Sequence, residues 1–157
     1  MMNHYCYYKS PMGTLTLQAN EQGLLGVWFE THNTQPENLG LLDEQQPILL
    51  QTIVQLDEYF RGIREHFTVP IAATGTAFQK QVWSALVTIP FGKTWSYQEL
   101  ASAIANPNAV RAVGLANSKN PISIIIPCHR VIGKNGKLTG YAGGVDRKQA
   151  LLKHEGA

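Results

Sequence analysis

Three short apolar-rich runs, broken by polar turn formers, lie near the start of the chain: His4–Ser10 (HYCYYKS), Gly13–Ala19 (GTLTLQA) and Leu24–Glu30 (LLGVWFE). Each is rich in β-branched or aromatic residues, and the turn formers of SPMG and NEQG separate them, so the pattern predicts an antiparallel meander. A polar stretch rich in Asn, Gln and Glu leads to PILLQTIVQLDEYFRG, where Leu49, Ile53, Leu56 and Phe60 recur at helical spacing and Gly62 closes the element. A sheet with one covering helix is a small α/β domain, assigned to residues 1–73.

From Ala73 onward the pattern changes to helix starts. Thr76–Gln79 (TAFQ) and Ser96–Glu99 (SYQE) each fit a capping box, in which hydroxyl and carboxamide or carboxylate side chains satisfy orphan backbone donors. Phe78, Val82 and Leu86 follow the first box on one face, and Leu100 and Ile104 follow the second. The second helix should stop at ANPN, because Pro107 disfavours helical geometry at Asn106. Asn108 then caps a further helix, AVRAVGLANSK, so two short helices with a tight turn suggest a helix-turn-helix. Ala109, Ala112, Gly114 and Ala116 give that helix a bare surface, suited either to tight helix packing or to close approach of nucleic acid, with Arg111 projecting. The β-branched ISIII is read as extended, GKNGKLTGYAGG as a substrate-lining loop, and Asp146 with Gln149 as a third box opening a last helix that ends at HEG. The fold class is α+β, with residues 74–157 forming a mostly helical second domain.

Composition narrows the function. With 157 residues, 44% of them hydrophobic, the chain can bury a real core. There is no apolar run of membrane-spanning length and no positively charged apolar leader, so a soluble, cytoplasmic protein is expected. The net charge of +2 conceals a split: residues 1–73 carry three bases against eight acids, a balance of −5, and the remainder ten against three, +7. The basic part suits a polyanion.

The two cysteines, Cys6 and Cys128, are too few for a disulfide framework, and no cluster of thiols and imidazoles has zinc spacing. Cys6, in an aromatic strand, reads as core. Cys128 follows Pro127, which interrupts regular structure, and precedes His129 and Arg130 in a basic neighbourhood that favours thiolate. A model thiol near pKa 8.5 is only slightly ionised at neutral pH, so a base is needed, and His129 is the candidate. Side chains at adjacent positions usually diverge, so contact requires a sharp turn or a bridging water. Glu155 could hold the other ring nitrogen, as the third group does in a triad.

IPCHRV, residues 126–131, resembles the active-site signature of the O6-alkylguanine-DNA alkyltransferases. GTAFQKQVW, TIPFGKTWSYQELA, RAVGLANSKNPISIIIPCHRVIG, GYAGG and LLKHEG occur in that family's order and spacing, covering nearly the whole second part. The resemblance implies a ribonuclease-H-like first domain and a winged-helix-like second one. It implies Cys128 as alkyl acceptor, His129 as base through a water, and Glu155 orienting His129. Asn120 would hold the turn that carries the thiol, and Tyr97 would donate a proton toward the leaving guanine. Arg111 would replace the extruded nucleotide in the stack, with Ser96, Tyr97, Ala109, Ala112, Gly114 and Asn117 along the DNA-facing surface. Val131, Tyr141, Ala142 and Gly143 would shape the base pocket, with the carbonyls of Cys128 and Val131 accepting from the base and the Ala142 amide facing its oxygen. The implied partner is double-stranded DNA containing O6-alkylguanine, bound through the minor groove without sequence preference by a monomer. O4-alkylthymine is a further candidate substrate. No cofactor and no metal is implied, since DNA itself donates the alkyl group.

The residue types suit that chemistry. A soft nucleophile attacks in line while charge develops on the leaving base, and a buried base must first be flipped, at a cost of a few kcal/mol. Two departures stand out: Ala77 occupies a position where proline is common, and Ser123 one where some relatives carry a pocket-lining proline. The alternatives are a damage-binding relative without chemistry, against which Cys128 argues, a cysteine hydrolase, which would turn over repeatedly, and a regulator using only the helix-turn-helix.

Overall fold

Strands form at the three runs rich in strand-forming residues: β1 (His4–Ser10), β2 (Gly13–Asn20) and β3 (Gly23–Trp28). The computed structural model describes residues 1–32, 34–138 and 140–157. Both hairpins are closed by local side-chain bonds. The Ser10 hydroxyl accepts from Met12 N (3.1 Å) and donates to Gly13 O (2.6 Å), while Asn20 Oδ1 accepts from the amides of Gln22 and Gly23. The polar stretch contains a strand that its composition does not reveal. β4 (Leu41–Leu42) pairs in parallel with β1, so the sheet runs β3-β2-β1-β4 and its fourth strand departs from the antiparallel meander.

Helix α1 (Pro47–Phe60) covers the sheet. Gln46 caps it by accepting from Leu49 N (2.8 Å), and Pro47, which has no amide hydrogen to satisfy, starts it. Its fully buried stripe is Leu49, Thr52, Leu56 and Tyr59, rotated from the expected one, with Ile53 and Phe60 only half-buried. Gly62 follows with φ 77°, a left-handed geometry that glycine adopts without strain.

In the second domain, α2 (Ala77–Leu86) and α3 (Tyr97–Ala103) begin at the two capping boxes, and both reciprocal bonds form in each. α4 (Val110–Ser118) packs on α2 and α3. β5 (Trp95–Ser96) leads into α3 and pairs in parallel with β6 (Val131–Ile132). α5 (Val145–Glu155) closes the chain, ending at Gly156 in the left-handed region.

Three expectations fail here. Asn108 does not cap α4; the cap position is Ala109, without a side-chain bond, because Pro107 and Asn108 form a turn whose Asn106 carbonyl accepts from Ala109 N. Asp146 does not cap α5 either, since Gly144 precedes the helix and Asp146 falls inside its first turn. Nor is Ile122–Ile126 extended: beyond an isolated bridge from Ile122 to Val27 it is a chain of tight turns, with Ile124 at φ 72°.

One continuous core joins the domains. The outer edge of β3 is covered along its length. Leu24 exchanges backbone bonds with Pro70 and Ala72, and Val27 with Pro121 and Ser123 (2.9 and 3.1 Å). The segment leading to Cys128 is therefore hydrogen-bonded to the N-terminal sheet. Among the described residues no helix is long and apolar enough to cross a membrane.

Candidate active site and nucleic-acid interface

The turns from Asn120 to Arg130 present the candidate nucleophile. Asn120, 2% exposed, accepts from Ile122 N (3.0 Å) and donates to Ile122 O (3.2 Å) and Ile126 O (2.9 Å), drawing the apolar run back on itself. Cys128–Arg130 then form one 3-10 turn, whose N–H and C=O pairing ends in β6. Cys128 and His129 thus share one sharp backbone turn.

His129 is completely buried, and its Nε2 lies 2.8 Å from Glu155 Oε2. A carboxylate can only accept, so the ring proton sits on Nε2 and Nδ1 carries the lone pair. That Nδ1 is buried with no protein partner among the described residues. Burial pushes the His129 pKa below its ordinary value despite the carboxylate, which keeps the ring neutral and able to take a proton.

Glu155 sits at the end of α5, directed inward. Oε1 accepts from Arg130 Nε (2.7 Å), and Oε2 accepts from Arg130 Nη2 (3.0 Å), His129 Nε2 (2.8 Å) and the Tyr59 phenol (2.6 Å). Burial alone would raise its pKa. The hydrogen bonds from His129 and Arg130 overcome that and hold the carboxyl at about 2. Arg130 completes its fork on Ile89 O (2.7 Å).

The surroundings of the thiol differ from the sequence reading in two respects. Cys128 is 5% exposed, and burial pushes its pKa up. The neighbouring Arg130, expected to favour thiolate, is neutralised by Glu155. The cation that acts on the sulfur is Lys148, which, with the Asn120 hydrogen bond, opposes the effect of burial. Lys148 is itself fully buried, and burial lowers its pKa to about 8. Its place was encoded: Lys148, Leu151, Leu152 and Glu155 fall at i, i+3, i+4 and i+7, all on the inner face of α5.

The expected pocket residues lie around the turn. Val131 and Tyr141 are buried, and Ala142 is half-buried, its carbonyl accepting from Thr31 Oγ1 (2.8 Å). Gly143 is required sterically: a Cβ there would lie 2.5 Å from the Tyr141 ring and 2.8 Å from Phe29. Thr31, Ser118, Lys119, Gly140, Tyr141 and Ala142 line a cavity of about 250 Å³. Within the glycine-rich stretch read as a substrate-lining loop, Thr139 lies outside the described residues.

The first domain reaches this wall. Phe29 N donates to His32 Nδ1 (2.9 Å), which places the His32 proton on Nε2, and Nε2 donates to Ser123 Oγ (2.8 Å). Burial lowers the His32 pKa to about 4, so the ring stays neutral. Sequence separations of 91 and 96 residues hid the contacts of His32 and Tyr59 from any local pattern.

The expected DNA-facing residues divide. Arg111 and Ala112 are exposed on α4, while Ser96, Tyr97, Ala109 and Gly114 are half-buried, and a Cβ placed on Gly114 would lie 3.7 Å from the Tyr97 ring. Asn117, by contrast, is 3% exposed, its Nδ2 directed to Cys128 O at 3.5 Å. Ala116 is buried too, its carbonyl accepting from Trp83 Nε1 (2.9 Å), so its small size serves helix packing. Leu115, 63% exposed, stands on the open face instead.

Both domains have counterparts among known proteins. Residues 3–73 match the family model described as 6-O-methylguanine DNA methyltransferase, ribonuclease-like domain, and residues 77–157 that of the DNA binding domain. The chain is 49% identical to a methylated-DNA–protein-cysteine methyltransferase of Methanosarcina acetivorans, covering 98% of this chain and 99% of that one. It is 45% identical to the protein of that name from Mycobacterium leprae, covering 98% and 93%. Among solved structures, that of the Mycobacterium tuberculosis O6-methylguanine methyltransferase superposes with a TM-score of 0.90 at 46% identity, covering 99% of this chain and 93% of that one. A structure of the Mycobacterium tuberculosis OGT in complex with DNA gives 0.90 at 46% identity, covering 98% and 92%. With both domains matched, the chain belongs to the 6-O-methylguanine DNA methyltransferase family.

Proposed function

We propose that this chain repairs DNA by direct reversal, moving the alkyl group of an O6-alkylguanine to Cys128 in one irreversible event. The observation that carries the reading is the buried Glu155–His129 pair, whose tautomer leaves Nδ1, unpartnered among the described residues, as a proton acceptor on the residue that follows Cys128.

The Cys128 thiol gives its proton to Nδ1 through a water, and Lys148 stabilises the resulting thiolate. Sulfur attacks the alkyl carbon in line, forming the C–S bond as the carbon–O6 bond breaks. The bonding electron pair passes into the guanine ring, and the Tyr97 phenol supplies a proton at N3 that solvent later restores. The products are guanine and an S-alkylcysteine. A thioether sulfur is a poor leaving group, so each molecule acts once.

Arg111 and the small residues of α4 suit the minor groove, with the guanidinium filling the gap left by the flipped base. Tyr97 and Ser96 border the same surface. Asn120 keeps the thiol on its turn, and Val131, Tyr141, Ala142 and Gly143 form the pocket wall. Phosphate contacts from the basic domain give affinity without sequence choice. The protein works in the cytoplasm as a monomer on double-stranded DNA.

Incubation with an oligonucleotide containing O6-methylguanine, followed by intact and peptide mass spectrometry, tests the reading. One methyl group on the peptide bearing Cys128 is expected, with none on Cys128→Ala, which should still bind DNA. Repeated turnover, or no adduct at all, would remove the proposal.

A further inference from the structure

The first domain contributes a side chain to the relay. Tyr59, on α1, is fully buried, and its phenol donates to Glu155 Oε2 at 2.6 Å, the shortest of the bonds to that carboxylate. Its backbone carbonyl accepts from His154 Nε2 (2.8 Å), so Tyr59 grips the end of α5 at two consecutive residues. The ring is fixed by Phe60, Phe67, Phe91 and His154, with centroids 4.9 to 6.3 Å away.

We infer that Tyr59 is a positioning residue of the alkyl-transfer site, which orients Glu155 and, by sharing Oε2 with His129, sets how basic His129 is. The inference rests on the proposed function for its meaning in catalysis, but not for its physical content.

The argument concerns one oxygen. Among the described bonds, Oε2 receives three donors, from Tyr59, His129 and Arg130, and Oε1 receives one, from Arg130. A carboxylate oxygen has two in-plane lone pairs, so each donor draws density that the others then lack. Burial and the adjacent carboxylate push the Tyr59 pKa far up, so the phenol remains a donor throughout the working range. Without it, more of the charge on Oε2 would face His129, favouring the imidazolium. The other groups acting on His129 are Arg130 and Lys148, both of which disfavour its charge, and Cys128 adjoins it on the same turn. Tyr59 therefore works in the same direction as the two cations. It keeps His129 neutral and its Nδ1 free to accept.

Tyr59→Phe removes the hydroxyl and keeps the ring in its aromatic cluster. NMR titration of the His129 imidazole should show its pKa raised by about half a unit to one unit. The acid limb of the Cys128 alkylation rate should move with it, so that transfer slows roughly three- to tenfold below that pKa and recovers at alkaline pH. A merely structural role would lower the rate at all pH values and leave the titration in place. If Tyr59→Phe fails to fold, 3-fluorotyrosine introduced at position 59 provides the opposite perturbation: a more acidic phenol should lower the His129 pKa. An unmoved His129 titration in the folded variant overturns the inference. Because that titration needs no DNA, it stands apart from the mass-spectrometric test. A wild-type chain that takes no methyl group would sink the proposed function while leaving the coupling intact.

Discussion

Asn120→Ala should cost about 3 to 5 kcal/mol, a large share of the 5–15 kcal/mol that stabilises an ordinary domain. Besides its bond to the sulfur, the side chain makes three buried hydrogen bonds to the backbone, each worth roughly 1 kcal/mol net. Their loss is not uniform. Ile122 O keeps the amide of Ile126 (3.0 Å) and Ile126 O keeps that of Cys128 (2.8 Å), so neither carbonyl is stranded. Ile122 N has no such substitute among the described bonds, and a buried orphan donor adds about 1 to 3 kcal/mol. Relaxation of Ile124 from its left-handed conformation returns part of the total, since such a residue stores about 1 to 3 kcal/mol. Urea unfolding followed by circular dichroism measures the stability, and alkyl transfer at a pH where the variant remains folded measures the site. The transfer rate should fall at least tenfold, because the turn that orients the sulfur is no longer held. A loss below about 1 kcal/mol with an unchanged rate would refute the claim that Asn120 imposes the turn.

Acid should reveal the contribution of Glu155. Its carboxyl is held at about 2, below the ordinary 4.5, so it stabilises the fold above the unfolded value, and that gain is lost as pH falls from about 4.5 to about 2. Glu155→Gln should flatten this region of a plot of urea midpoint against pH and cost about 3 to 5 kcal/mol at neutrality, because Arg130 stays buried without its counter-charge. Lys148→Met should slow labelling of Cys128 by iodoacetamide at pH 8 by about tenfold, whereas an unchanged rate would exclude a role in stabilising the thiolate. Arg111→Ala should impair transfer from duplex DNA more than from the free base, and equal losses would rule out stack filling.

The sequence and the structure diverge in ways that follow from range of interaction. Strand-forming runs between turn formers located β1 to β3, and the boxes at Thr76 and Ser96 formed because both partners of each bond lie three residues apart. Asn108 and Asp146 carry the same chemistry, yet the backbone conformations at Pro107 and Gly144 shift the helix starts by a residue or more. Ile122–Ile126 looks like a strand from its β-branched side chains. Asn120 and the exchange with Val27 override that propensity. At the site, Cys128 and His129 stood out by adjacency, and Glu155 by its place at the end of the last helix as well as by the family motif. Lys148 was available from helical periodicity and was missed. Tyr59, His32 and the inward turn of Asn117 depend on contacts between distant elements, which no window along the chain contains.

The seam along β3 makes the two halves poor candidates for separate production. Released from Pro121 and Ser123, the meander would offer unpaired amides and carbonyls to any extended peptide, itself included, and would be drawn toward sheet-mediated clumping. The catalytic fragment would lose the rail against which its reactive bend is braced. Mixed in solution, the two pieces should instead recognise each other, since each exposes the complement that the other lacks.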